Sequence, residues 1–259
     1  MLNKYVKYYL KNKPPFFCMI RGKELEFYEK TLPKDKGLKV LDFGIGDGFY
    51  LDTFLKFNKR DWHITGVDIS RSELNKAEKY KITEQLDDYD GLKLPYKDKS
   101  FDLVISNCVL EHVSDIKLNV KEIARVLKPG GRFITTVMSK EWDSYLFGAI
   151  FLGKLYTKYM RAKQVHKNLF SGKEWTNIFA SAGLKAEIKK GYMNRKAGML
   201  MDIMHYVSIP SLITHKLFGR WVIFPWIYDI LPVHKFFAHF AKPDLDPANS
   251  AAIAFSLKK

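Results

Sequence analysis

One stretch constrains the fold more than any other: Val40-Leu41-Asp42-Phe43-Gly44-Ile45-Gly46-Asp47-Gly48. A short apolar run opens into three alternating glycines and then a helix-like stretch over residues 50–57. Apolar runs bounded by turn signals read as buried parallel strands. Glycines at a strand-to-helix turn let the backbone bend sharply and approach a ligand without Cβ clashes. The strand pattern recurs at residues 63–67, ending at Asp68, and again at 101–106 and 132–137, with helix-like stretches at 72–80 and 109–127. Strands alternating with helices predict an α/β fold with a doubly wound parallel sheet. Residues 184–190 and 250–257 read as two late strands. Residues 128–131 read as the turn into the fifth strand, 173–182 as a helix stopped by Gly183, and 1–32 as helix broken at Pro14-Pro15.

The glycine turn also narrows the ligand. A dinucleotide fingerprint, GxGxxG, guides a pyrophosphate onto a helix N-terminus. Here the pattern is GxGxG followed by Phe49 and Tyr50, and the carboxylates of Asp42 and Asp47 would repel a pyrophosphate. Asp68, closing the second strand, is placed to accept ribose hydroxyls. A cationic ligand with an adenosine and an amino-acid tail fits, which is S-adenosylmethionine. The plainer reading is that Gly44 and Gly46 only make a turn.

Composition adds a partner and a compartment. Lys and Arg number 43 against 28 Asp and Glu, for a net charge of +15. Residues 1–39 carry +6 and 151–200 carry +9, whereas 40–150 carry −2, so the positive field belongs to the flanks. An anionic partner follows: a membrane surface, a phosphorylated substrate or nucleic acid. Only Cys18 and Cys108 are present, so no disulfide framework is implied and a cytoplasmic setting is expected. The lysine-rich N-terminus lacks the apolar core of a signal peptide. Residues 199–240 are apolar but punctuated by Pro210, Pro225 and Pro232, and no run reaches the roughly 18 residues that span a bilayer. Their aromatics, including Trp221, Phe224, Trp226 and Phe236, suit a membrane interface. Peripheral attachment to the inner membrane face is the expectation, and a lid or dimer face the alternative.

The motifs together, VLDFGIGDG, GVDIS, Asp90-Gly91-Leu92-Lys93-Leu94-Pro95, SFDLVISNCVLEHV and LKPGGRF, resemble the class I S-adenosylmethionine-dependent methyltransferases over roughly residues 37–138. The SNCVLEH version is most similar to small-molecule and lipid-pathway members. The resemblance implies a Rossmann-like seven-stranded sheet, mostly parallel with the last strand antiparallel, and a hydrophobic helical insertion between the final two strands. The residues themselves divide the chain into an N-terminal helical cap over residues 1–36, a core over 37–190 plus 249–259 with a basic, apolar segment at 139–165, and an insertion at 191–248 for acceptor or membrane. The resemblance further implies that Gly44, Ile45, Gly46 and Gly48 line the methionine moiety while Asp42 orders their loop. Asp68 would hold the ribose and Ile69 would pack on adenine. Asp90 would meet the adenine amino group, Gly91 or Leu92 would offer a backbone N–H, and Asn107 would face cofactor and acceptor. Asp90 also fits a solvated acidic loop. Arg21 and Glu24 fit either a surface ion pair or closure over the cofactor carboxylate.

Methyl transfer to a hydroxyl needs alignment and a proton acceptor. His112 and His166 are the candidates, with Glu111 third; His112 follows a strand end, where open sheets bind ligands. His63 reads as structural, and His205, His215, His234 and His239 as the wet edge of the insertion. No Cys/His cluster has zinc spacing, so no metal is expected, and spacing alone does not support a divalent cation on Glu111 and His112. The reading is an enzyme that methylates a hydrophobic or lipid-linked small acceptor at oxygen, in envelope glycan, lipid or quinone metabolism. The rivals are a nucleic-acid methyltransferase, which lacks an appended RNA-binding module or a known catalytic motif here, and a non-catalytic cofactor-binding partner protein, in which a broken glycine loop or a lost ribose carboxylate would be expected.

Overall fold

The computed structural model describes residues 2–241 and 245–259. Seven strands make one sheet: β1 (Leu38–Phe43), β2 (Trp62–Asp68), β3 (Gln85–Asp88), β4 (Phe101–Asn107), β5 (Leu127–Met138), β6 (Lys185–Gly191) and β7 (Ala252–Lys258). Their order is β3-β2-β1-β4-β5-β7-β6. β1 through β5 pair in parallel, and β7 runs antiparallel to both β5 and β6. The sheet is the Rossmann-like one expected. From β1 the chain winds outward to β2 and β3, then crosses to β4 on the other side. The carboxyl ends of β1 and β4 therefore flank the switch point where such sheets bind ligands.

Alternation along the strands feeds two cores, because both faces are covered. Val40, Ile64, Leu103 and Ile134 pack with α3 (Phe49–Phe57) and α4 (Arg71–Ala77), together with Tyr5 of α1 (Leu2–Asn12) and Leu25 of α2 (Pro15–Thr31). Leu41, Val104 and Phe133, one residue out of phase, pack with α5 (Ile116–Val126) and α7 (Gly172–Ser181). Pro15 starts α2, where a missing N–H and a fixed φ are harmless. Ser171 and Glu174 form a reciprocal capping box on α7.

A roof lies over the switch point. Helix α6 (Ala149–Lys163) precedes α7, and α8 (Arg195–Val207), α9 (Ile209–Phe218), α10 (Ile227–Ile230) and α11 (Val233–Phe240) lie between β6 and β7. α8 packs on α2, and α11 on α1. The stretch 191–248 includes residues 242–244, which lie outside the described residues. No described helix is long and apolar enough to cross a membrane.

Two local expectations need correction. The helix expected from Val109 starts only at Ile116, because Asp115 caps it by accepting the Leu118 N–H at 2.9 Å. Residues ahead of it are held irregular, since Asn168 Nδ2 donates to the carbonyls of Leu110 and Val113 at 3.0 and 2.8 Å. Asp90 lies exposed in the loop that follows edge strand β3, a strand whose polar sequence hides it. Finally, 128–131 begin β5 itself, with Gly130 at φ +76° and a register slip against β4.

Candidate active site

Two cavities meet at Gly44. The smaller, about 440 Å³, is lined by Asp68, Ile69, Asp90, Gly91, Leu92 and His112. The larger, about 760 Å³, has Asp42, Gly44, Ile45, Gly46 and Asn107 on its floor. Its roof comes from both ends of the sequence: Tyr9, Phe16, Phe17 and Arg21 on one side, and Tyr159, His205, Tyr206, Leu212 and Trp221 on the other. Together they make a crevice over the carboxyl ends of β1, β2 and β4.

The glycine loop is shaped by its surroundings. Gly44, Gly46 and Gly48 all have positive φ, at +79°, +57° and +76°. Only glycine adopts these angles without a Cβ penalty. A Cβ on Gly44 would lie 2.5 Å from Val109 Cγ2, and one on Gly48 2.9 Å from Ala77 Cα, so these two permit close packing. A Cβ on Gly46 would meet nothing within 4 Å, which marks the side of the loop that faces open space. Asp68 holds the loop in place: its Oδ2 accepts the Gly46 N–H at 2.9 Å and its Oδ1 the Ser70 N–H at 2.9 Å. Burial, and then the neighbouring Asp68 carboxylate, push the Asp42 carboxyl up to about 8.

The smaller cavity is open and largely apolar. Ile69 and Leu92 are 75% and 59% exposed, an unusual state for such side chains at the rim of a cavity. Asp90 Oδ1 accepts the N–H groups of Leu92 and Lys93 at 2.8 and 3.1 Å, and these donors hold its carboxyl below the usual range. Asn107 Oδ1 accepts the Thr136 hydroxyl at 2.8 Å, leaving its amide N–H groups as donors. Arg21 and Glu24 make no surface pair: Glu24 is fully buried, accepting from Arg21 Nη1 at 2.7 Å and from the Tyr192 hydroxyl at 2.8 Å. That anchor sets Arg21 in the wall of the larger cavity.

The three catalytic candidates cluster together. Ligand atoms of Glu111, His112 and His166 lie within 4.8 Å of one another, and the two imidazoles stack at 5.3 Å. Of the three, His112 lines a cavity, the smaller one. Burial drives the His166 imidazole down to about 3 and pushes the Glu111 carboxyl up. His205, assigned from sequence to a wet edge, instead lines the larger cavity, its ring stacked 4.3 Å from that of Phe16. Its Nδ1 lies 3.0 Å from the Met201 carbonyl oxygen, which can only accept, so Nδ1 carries the proton and Nε2 the lone pair. Burial holds its imidazole below the ordinary range. Beside it, Tyr206 shares a 2.8 Å hydrogen bond with Tyr156, which donates to buried Asp202 at 2.8 Å. The sequence signal for this cluster was faint: Asp202, His205 and Tyr206 at helical spacing in an otherwise apolar segment.

A family model described as a methyltransferase domain matches residues 41–135, from β1 to β5. Uncharacterized protein MJ1123 of Methanocaldococcus jannaschii is 32% identical over 170 residues, covering 64% of this chain and 73% of its own length. A ubiquinone biosynthesis O-methyltransferase of Coxiella burnetii is 25% identical over 171 residues, covering 64% of this chain and 71% of its own. A solved S-adenosylmethionine-dependent methyltransferase of Thermotoga maritima, 19% identical, matches with a TM-score of 0.60 over 100% of this chain and 96% of its own. At that identity the likeness speaks for the fold.

Proposed function

The chain belongs to the class I S-adenosylmethionine-dependent methyltransferases, and from that premise we propose that it methylates an oxygen of a hydrophobic or lipid-linked small acceptor drawn from an anionic membrane surface. The observation that carries this reading is the roof of the larger cavity. Leu212 and Trp221 line it, and in the same insertion Leu217, Phe218, Phe224, Trp226 and Phe236 are all exposed. Exposed apolar side chains gathered in one segment suit an interaction surface. Lys154, Lys158, Lys216 and Arg220 are exposed in the same helical roof segments, and each adds about 1 kcal/mol near anionic lipid. Among the roof aromatics, Phe237 is buried and Trp221, Tyr228 and Phe240 are half-buried, so part of the set builds the roof itself.

S-adenosylmethionine supplies an electrophilic methyl group. The open side of Gly46, the exposed Ile69 and Leu92, and the carboxylates at the two strand ends fit such a molecule. In this reading Asp68 binds the ribose hydroxyls, and Ile69 and Leu92 cover the adenine beside Asp90 and Gly91. Asp42 and the Gly44-Ile45-Gly46 backbone hold the amino-acid end, and Arg21 takes its carboxylate. Asn107 donates at the junction with the acceptor. His205 Nε2, which faces the Gln164 amide nitrogen at 3.3 Å, removes the acceptor's proton once the acceptor hydroxyl displaces that amide, because His205 lines the cavity that the roof closes and burial keeps it neutral. The helices of the roof exclude water. The Coxiella burnetii relative, by name an O-methyltransferase of ubiquinone biosynthesis, agrees with an oxygen acceptor.

The test is flotation with phosphatidylglycerol vesicles, paired with transfer of label from methyl-labelled S-adenosylmethionine into lipid, nucleic-acid and protein fractions. Flotation that is lost in the Trp221→Glu, Trp226→Glu double variant, and label in the lipid fraction, are the expected results. Absence of flotation at low salt removes the membrane from the reading and favours a lid. Label in nucleic acid would replace the acceptor class.

A further inference from the structure

The Glu111–His112–His166 cluster is more than a set of candidate bases. Glu111 has no exposed surface, and neither of its carboxylate oxygens has a hydrogen-bond partner. A buried carboxylate without donors is costly unless a cation or a proton answers it. His166 Nδ1 is likewise buried and without a partner. His112 Nδ1 lies 3.1 Å from the Val165 carbonyl oxygen. A carbonyl only accepts, so Nδ1 carries the proton and Nε2 is left with its lone pair, which is the arrangement that prepares a histidine to ligate a metal. The backbone around the cluster is fixed as well. The Glu111 carbonyl accepts the N–H groups of Lys167 and Asn168 at 2.8 and 3.0 Å, and Val165 sits at φ +56°, an outlier for a β-branched residue. The neighbouring cation Arg161 is already paired with Asp143.

We propose that Glu111, His112 and His166 bind one divalent transition-metal ion of the zinc class. Two imidazoles and one carboxylate suit zinc, cobalt or iron(II) better than magnesium or calcium, which prefer all-oxygen shells. A tetrahedral ion with bonds near 2.0–2.1 Å needs donors about 3.3 Å apart. The donor atoms, all within 4.8 Å of one another, reach that spacing when side-chain rotation draws the farthest pair together by up to about 1.5 Å. Three protein ligands leave a fourth position open. The ion ties the loop after β4 to the connection between α6 and α7, segments 54 residues apart in sequence, and so fixes the wall of the smaller cavity that His112 lines. That separation is why chain spacing alone does not reveal the site.

The test uses the full chain, freed of metal by chelation and titrated with ZnCl₂ by calorimetry and with CoCl₂ by visible absorption. One Zn²⁺ per chain with a Kd below about 10 μM, and a cobalt band of tetrahedral intensity, are expected. Glu111→Gln and His166→Ala should each weaken Zn²⁺ at least about tenfold and abolish the cobalt band. Because substitution of the buried Glu111 can disturb folding, the half-exposed His112→Ala provides the third variant, with a thermal melt to check each. Asp68→Ala, which belongs to the cofactor pocket, should lose S-adenosylhomocysteine and keep Zn²⁺, so the site stands or falls apart from the methyltransferase reading. Absence of stoichiometric binding at 100-fold excess ZnCl₂, or binding that survives in all three ligand variants, overturns the proposal.

Discussion

Gly44 and Gly46 are two residues apart in one loop, yet the structure separates their roles, and substitution can read the difference. Both have positive φ, so any Cβ incurs the left-handed penalty of about 1–2 kcal/mol. At Gly46 that is the whole folding penalty for alanine, because the new Cβ meets nothing within 4 Å. In a chain of this size it corresponds to a fall in Tm of roughly 2–8 °C. At Gly44 the same change adds a Cβ 2.5 Å from Val109 Cγ2, on a β-branched side chain with little freedom to turn. Overpacking adds about 1–3 kcal/mol more, so Gly44→Ala should lower Tm by about twice as much. Binding should rank the other way. A micromolar ligand is held by about 8 kcal/mol. Gly46→Val puts three carbons into the space that loop leaves for the cofactor, and should lose more than about 100-fold in S-adenosylhomocysteine affinity, or about 3 kcal/mol. Calorimetry and thermal melts on wild type, Gly44→Ala, Gly46→Ala and Gly46→Val decide it. Gly46→Val binding within threefold of wild type, or Gly46→Ala melting as low as Gly44→Ala, would refute the reasoning.

Other outcomes follow from single contacts. Asp68→Asn keeps shape but loses charge, and should weaken S-adenosylhomocysteine by about 1–3 kcal/mol in a calorimetric titration; unchanged affinity would remove Asp68 from the ribose. Asp42 ionises near 4 when unfolded and near 8 when folded, so the folded chain holds a proton that the unfolded chain has lost. Its contribution to stability is therefore complete below about pH 4 and lost as pH rises through 8, at about 1.4 kcal/mol per unit. The difference in urea stability between wild type and Asp42→Asn should slope at that rate between pH 5 and 7, and a flat difference would contradict the buried assignment. Ser171→Ala, which removes the cap of α7, should cost about 1 kcal/mol without altering cofactor affinity; a large binding loss would couple α7 to the site.

The glycine loop and the strands around it were legible because their constraints are local. Glycines with positive φ and a carboxylate closing the next strand leave their mark within a few residues, and β1, β2, β4 and β5 each carry a cluster of buried apolar residues. β3 escaped because an edge strand needs no apolar run, and Gln85-Leu86-Asp87-Asp88 offers none. The start of α5 was misplaced because the residues before it are fixed by Asn168, more than 50 positions away. The roof over the larger cavity was the least legible for the same reason at larger scale. His205 reads as one of several scattered polar residues of α8 until Phe16 and Gln164, from two other segments, are set against its ring.

The roof over the larger cavity has a history that its finished form conceals. Helix α2 ends at Thr31 and its partner α8 begins at Arg195, about 160 residues later. At a synthesis rate of roughly 5–20 residues per second, α2 leaves the ribosome roughly 8–30 s before α8 exists. β6 then waits for β7, its only strand neighbour among the described residues, while all of α8 to α11 is made between them. During that interval the nascent chain carries a finished glycine loop and an uncovered apolar slope on its first two helices. The face of α2 that α8 covers is therefore among the last parts of the roof to be buried.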